Sequence, residues 1–357
     1  MKIRATLLVL LFLVLLAPSA SATSSHEIIL VEPTHRNFAG KLVDDELTTL
    51  LAPDGRLGKL LFFPAAQPRI WLIDASLIDD VKAMPEENLV AQNWLRQLQS
   101  ITNQDVVKAL AYGHPNLHFA SRLAPSELQY YFVASQSRLE DFLKRKVTLD
   151  TAAQSGVKVS VIPDDAVRSY MDIREEIAFI TTVIPVGELD SLRAHIASLL
   201  VLDLSKERQA TLASDARAAL AAEKHKLRII AGKYRLTSEN EKVPVTIVND
   251  FAQPIVVTLH LSSENPRVQV KSVRKITLPP HSKTQLSIPI TVIASGNTSL
   301  TASLVNVKGR PIVEPTILTL SVSVISPAVA WFTTGAAILL FLGAIAQSVR
   351  RVRRSRK

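Results

Sequence analysis

Two short tracts hold side chains whose types and spacing could do chemistry. Asp74 closes the apolar run Arg69–Asp74, and Tyr112-Gly113-His114-Pro115-Asn116 closes the run Val106–Tyr112. Both runs read as buried strands, so both tracts fall at predicted carboxyl ends, the edge where α/β barrels and open α/β sheets bind ligands. A strand-end aspartate beside a histidine can ligate a metal or share acid–base work. Tyr112 offers a ring for stacking on a sugar and a hydroxyl to orient it. Asp74, Tyr112, His114 and Asn116 are therefore the candidate ligand-binding residues. A structural reading stands beside each of them. Asp74 before Ala75-Ser76 suits a helix N-cap, and His114 before Pro115 suits an ordinary turn. Asp164-Asp165 follows another predicted strand, Val157–Pro163. It could pair with Asp74 as hydrolytic carboxylates, at a separation the chemistry would dictate, or cap the next helix.

The elements that must position these residues alternate. Glu27–Val31 suggests a strand, and Pro53-Asp54-Gly55 a turn. Leu89, Val90, Trp94, Leu95, Leu98 and Ile101 have helical spacing within Glu86–Ile101. Glu127–Val133 is ambiguous, while Ser137–Arg145, Leu189–Leu202 and Lys206–Lys224 suit helices. Strand–helix alternation predicts an α/β module over residues 23–225, with a degenerate barrel as one form of it. Near Lys226 the composition changes. Val243–Val248, Ile255–Leu261, Thr284–Ile293, Ser299–Val305 and Ile317–Ile325 are short runs rich in β-branched residues, separated by turn clusters. About seven strands over residues 226–326 predict an immunoglobulin-like β-sandwich.

The ends set the topology. Lys2 and Arg4 precede the apolar Ala5–Ala17 and the small-residue run Ala20-Ser21-Ala22, the pattern of a signal peptide over residues 1–22. That apolar run would make a helix of only about 20 Å, too short for a bilayer core. Residues 327–349, uncharged and with Gln347 as the sole strongly polar side chain, are predicted to span the membrane, leaving the basic tail 350–357 in the cytoplasm. The rest is expected outside a bacterial cell. The formal charge of +9 is no nucleic-acid signal. Lys2, Arg4 and the six tail cations account for nearly all of it, and the remainder is close to neutral. The chain has no cysteine, which excludes disulfides, thiolate metal sites and a cysteine nucleophile. It also has no Walker loop, G-x-G-x-x-G, G-x-S-x-G or H-E-x-x-H motif, and no metal or cofactor is expected.

Several tracts together resemble a known family. They are Trp71-Leu72-Ile73-Asp74, Asn93-Trp94-Leu95-Arg96, Ala111-Tyr112-Gly113-His114-Pro115-Asn116, Val243–Asn249 and Gln253-Pro254, followed by the terminal span. Their order is similar to that in an uncharacterised family of actinobacterial membrane proteins, domain of unknown function 6049. In that family the first strand usually ends Asp-Pro-Ala-Leu, where this chain has Asp74-Ala75-Ser76-Leu77. A second motif there is closer to Pro-Tyr-Gly-Asp-Pro-Asp, and Ala111, His114 and Asn116 here replace its proline and both acids. The resemblance implies an envelope role and no established reaction. Two functions are expected from the whole reading. One is a membrane-anchored extracellular module that binds wall glycan or another envelope protein. The alternative is a glycan-processing hydrolase or deacetylase-like enzyme, in active or degenerate form.

Overall fold

A computed structural model describes residues 25–151, 162–202, 204–293, 295–323 and 327–354. The expected signal peptide, most of the expected strand Val157–Pro163 and the end of the basic tail lie outside these residues. The chain divides into two compact units. One comprises Met1–Tyr170 with Ala194–Ala213, the other Met171–Arg193 with Ser214–Lys357.

The first unit is built on a parallel sheet of β1 (His26–Leu30), β2 (Arg69–Ile73), β3 (Val106–Ala109) and β4 (Thr148–Leu149), in the order β1-β2-β3-β4. Helices fill the crossovers. They are α1 (Glu46–Leu51) and α2 (Arg56–Phe62) after β1, then α3 (Ala75–Lys82) and α4 (Leu89–Thr102) after β2. After β3 come α5 (Leu117–Leu123) and α6 (Pro125–Leu143). Among the described residues the strand order follows chain order without reversal, as in one side of a barrel, and shows no switch-point crevice of the doubly wound kind. The ambiguous tract Glu127–Val133 and the expected helix Ser137–Arg145 form the single helix α6. Pro125 stands in its first turn, and Leu128, Tyr131, Phe132, Ser135, Leu139 and Phe142 are buried along it at helical spacing. The aromatic run Tyr130–Phe132 favours strand by propensity, and tertiary burial overrides it. At the amino edge of the sheet, Asp105 accepts from Arg69 Nε and Trp71 Nε1, each at 2.8 Å.

The remaining helices are α7 (Asp164–Ile180), α8 (Asp190–His195) and α9 (Lys206–His225). The expected helix Leu189–Leu202 is broken. After α8 the chain tightens into a 3-10 turn, Ile196–Leu200, all of it buried.

The second unit holds nine strands among the described residues: β5 (Leu227–Ile229), β6 (Lys233–Leu236), β7 (Asn240–Asn249), β8 (Ile255–Ser263), β9 (Val268–Val270), β10 (Val273–Leu278), β11 (Ser282–Val292), β12 (Gly296–Val305) and β13 (Thr316–Val322). They form two sheets, β10-β8-β12-β13-β6 and β5-β7-β11-β9. All pairs are antiparallel except β13 with β6. Alternate residues are buried: Val243, Val245 and Ile247 on β7, Ile255, Val257, Leu259 and Leu261 on β8, and Leu318, Leu320 and Val322 on β13. This period of two is the signature of sheets with one covered face. Asn249, fully buried at the end of β7, ties the turns together. Its Nδ2 donates to the carbonyls of Pro279 (2.8 Å) and Gln253 (3.1 Å), and its Oδ1 accepts from Phe251 N (3.1 Å).

The last helix, α10 (Pro327–Arg354), contains the apolar stretch Trp331–Ser348, and none of that stretch is buried. It is long and apolar enough to cross a membrane.

Replacing Asn249 by alanine orphans several buried backbone groups at once. The substitution is expected to cost about 2–3 kcal/mol, read as lost hydrogen-exchange protection in β7, β8 and β11.

Candidate functional site

The carboxyl edge of the parallel sheet gathers the polar side chains of the first unit. Asp74 follows β2 directly, is fully buried, and is the N-cap of α3. Its Oδ1 accepts from Ser76 N at 2.8 Å and Gly113 N at 3.1 Å, and its Oδ2 from the Ser76 hydroxyl at 2.6 Å. Burial pushes its carboxyl up to about 7, and the hydrogen bonds from Ser76 and Gly113 pull the other way. Asn116 is a second cap, its Oδ1 accepting from Phe119 N at 3.0 Å at the start of α5. Gly113 and His114 both have left-handed backbone (φ +75° and +45°). A Cβ on Gly113 would lie 3.1 Å from Ser198 N and 3.2 Å from Ala197 Cβ, so this turn needs a glycine there. Of the four candidates only His114 is exposed.

The structure thus brings Asp74 and the Tyr112–Asn116 loop into contact, through Gly113, and gives them structural work. A ligand cannot reach Asp74 while its oxygens cap a helix in the interior, and Asn116 is occupied in the same way. Two large surface clefts lie elsewhere. One, of about 430 Å³, is lined by Leu51, Phe62, Val90, Asn93 and Gln97. The other, of about 540 Å³, lies in the second unit, beside Ser263, Asn265 and Gln269.

Tyr112 belongs to a network that single-sequence reasoning missed. Its hydroxyl donates to Asp79 Oδ2 (2.7 Å) and accepts from Arg36 Nη2 (3.2 Å), and the Arg138 guanidinium lies 4.6 Å from its ring centroid. Arg138 Nε also pairs with Asp79 Oδ2 at 3.3 Å. Burial raises the Tyr112 hydroxyl well above its ordinary range, so it stays protonated. Deeper in, Asp80 accepts from Thr34 Oγ1 (2.9 Å), His35 N (2.8 Å) and Arg36 Nε (3.0 Å). Burial raises its carboxyl above the usual range, with Arg36 as the chief opposing influence. His195 Nε2 lies 3.3 Å from Thr34 Oγ1 and its ring stacks on Phe38 at 4.3 Å. With the Thr34 hydroxyl proton directed at Asp80, Thr34 Oγ1 can accept from the Nε2–H tautomer of His195. Burial, then Arg36 and Arg138, push this imidazole down to about 3, which leaves it neutral.

One clue to this network was visible in the sequence. Asp80 stands three residues after Leu77 and four after Ser76, on the buried face of α3. A carboxylate at a core position requires partners. Which partners those are depends on residues far along the chain.

An α/β unit with a charge-paired carboxyl edge, joined in one chain to a two-sheet β unit and an apolar helix, is the class of protein these features define. Residues 91–357 match the family model described as a family of unknown function, DUF6049, and the chain belongs to that family. No curated protein matches it. Among solved structures, a PapD-like domain of human CEP192 is similar at 16% identity, over 28% of this chain and 85% of that one, with a TM-score of 0.22. The Caenorhabditis elegans MSP family member WR4 is similar at 10% identity, over 28% of this chain and 98% of that one, with a TM-score of 0.21. Native alpha-2-macroglobulin of Escherichia coli is similar at 14% identity, over 27% of this chain and 6% of that one, with a TM-score of 0.22. Likenesses this slight assign no function.

Two outcomes follow for this edge. An unfolded aspartate titrates near 4, so the raised Asp74 favours the fold below that pH and loses the contribution as pH rises through about 7. Urea denaturation followed by Trp71 fluorescence should show stability falling over that interval by up to about 4 kcal/mol. D74N should remove that slope and be the more stable protein at pH 8. Arg36→Met should cost about 3–5 kcal/mol by removing the guanidinium that pairs with buried Asp80, and adding Asp80→Asn should recover part of the loss in a double-mutant cycle.

Proposed function

We propose that this chain is a single-pass protein of the cell envelope, with its two folded units outside the membrane and its basic tail in the cytoplasm. The α/β unit acts as a non-catalytic module that binds wall glycan or another envelope protein. The apolar stretch Trp331–Ser348, none of it buried, carries the anchoring, because water would not tolerate so many exposed leucine, isoleucine and phenylalanine side chains in one helix. The cations from Arg350 onward favour a cytoplasmic tail, and the signal read at the amino terminus favours the same orientation.

Engagement of Asp74, Asp79 and Asp80 at the sheet edge supports binding over turnover. A hydrolase using two carboxylates needs one to give a proton to its substrate and another to attack or to activate water. Asp79 is held by Tyr112 and Arg138, Asp80 by Arg36, Thr34 and His35, and Asp74 by Ser76 and Gly113. His195, neutral and stacked on Phe38, is no ready acid.

Protease added to intact spheroplasts should remove everything before about residue 328, and a reporter fused after Lys357 should be active only in the cytoplasm. Protection of residues 226–326 would overturn the orientation. Full-length protein in detergent should co-sediment with isolated wall glycan, or crosslink to an envelope protein in native membranes, without releasing reducing ends or acetate. Release of either would favour the glycan-processing hydrolase instead.

A further inference from the structure

The loop after β1 folds back on itself. His35 O accepts from Val43 N (2.9 Å), Arg36 bridges Leu42, and Asn37 N reaches Lys41 O (2.8 Å) around the left-handed Gly40. This small hairpin returns Asp44 to the side of His35, just before Glu46 opens α1. Donor atoms of His35, Asp44 and Glu46 lie within 4.8 Å of one another. Asp44 Oδ1 is 2.6 Å from His35 Nδ1, and its Oδ2 is 3.0 Å from Arg208 Nη1. His35 is buried, Asp44 is half-buried and Glu46 is exposed, so the group opens to solvent on its acidic side.

The far edge of the His35 ring, which faces Glu32 rather than Asp44, bears on which nitrogen holds the proton. Its Nε2 is buried and has no hydrogen-bond partner. Glu32 Oε1 lies 3.9 Å from it. If Nδ1–H donates to Asp44, Nε2 is left as a lone pair facing a carboxylate, two acceptors with nothing between them. A cation on the Nδ1 side removes the conflict. The imidazole then carries its proton on Nε2, directed at Glu32, which is the usual carboxylate partner of a metal-bound histidine.

We infer that His35 Nδ1, Asp44 Oδ1 and Glu46 together bind one divalent transition-metal cation, with Glu32 and Arg208 as the groups that orient His35 and Asp44. One imidazole and two carboxylates suit zinc or manganese, and three protein ligands leave positions open to water or to a ligand's oxygens. Arg208 keeps to the outer oxygen of Asp44, and Arg56 contacts Glu32, so the two cationic side chains brace the carboxylates without taking the ligating atoms. This goes against the absence of a metal expected from sequence motifs. It is also independent of whether the unit binds glycan or protein.

The test uses full-length protein without a histidine tag, in detergent and stripped of metal by a chelator. Zinc chloride is titrated by calorimetry, and the zinc-loaded sample is read by X-ray absorption. Uptake of one zinc per chain with a Kd on the order of micromolar or tighter is expected, with a nitrogen/oxygen shell at about 2.0–2.2 Å. E46Q and D44N should each weaken binding by about tenfold or more, with circular dichroism unchanged. No stoichiometric uptake would overturn the site. Unchanged affinity in both variants would overturn it equally, since zinc would then be held elsewhere.

Discussion

Asp80 holds the carboxyl edge of the parallel sheet together. One buried carboxylate accepts from three successive residues after β1, through the Thr34 hydroxyl, the His35 amide and the Arg36 guanidinium. A charge there is costly unless its lone pairs are met, and the loop after β1 is shaped by the need to meet them. The Arg36–Tyr112–Asp79 network at that edge follows from where this loop is pinned. Arg36 reaches Tyr112, Tyr112 reaches Asp79, and Asp79 meets Arg138. With Arg36 anchored, the hairpin from His35 to Val43 can set Asp44 beside the imidazole.

How much of this was legible in the sequence depended on how local the cause was. The strands β1, β2 and β3 announced themselves as apolar runs, and α4 and α9 as helical patterns, because those signals lie within a few residues. Asp74 and the loop beginning at Tyr112 were read at strand ends and do meet there. Their roles turned on what lay opposite. Asp74 caps α3, one of the two readings its neighbours allowed, and the left-handed Gly113 and His114 close a turn. Arg36 and Asp80 are 44 residues apart, and Thr34 and His195 are separated by 161. No spacing rule connects such residues, since a tertiary partner is chosen by the fold.

The second unit shows the same division between local and remote causes. Its long strands have clear alternation, while β5, β6, β9 and β10 are too short to show a period. With no cysteine to staple it, this sandwich relies on its alternating apolar faces and on Asn249. A neutral amide does there what a carboxylate does in the first unit, gathering several backbone groups from turns that would otherwise be strangers. It carries no charge to be neutralised, so its neighbourhood is quieter electrostatically.

The first unit is not continuous in the chain. Residues 171–193 belong with the second unit, after which the chain returns to supply residues 194–213 to the first. That returning segment is no ornament. The Leu200 carbonyl receives the Asn116 amide, His195 stands against Thr34, and Arg208 bonds Asp44 across 164 residues of sequence. A chain emerging amino-terminus first therefore completes β1 to β4 while its sealing segment is still unmade. Until Arg208 arrives, Asp44 and the Thr34 carbonyl must wait for their partner. Non-local closure of this kind is slow. In that interval a chaperone or a protease would find the first unit half-built. The interleaving also means that neither unit can be lost, duplicated or exchanged by a single cut without taking part of the other with it.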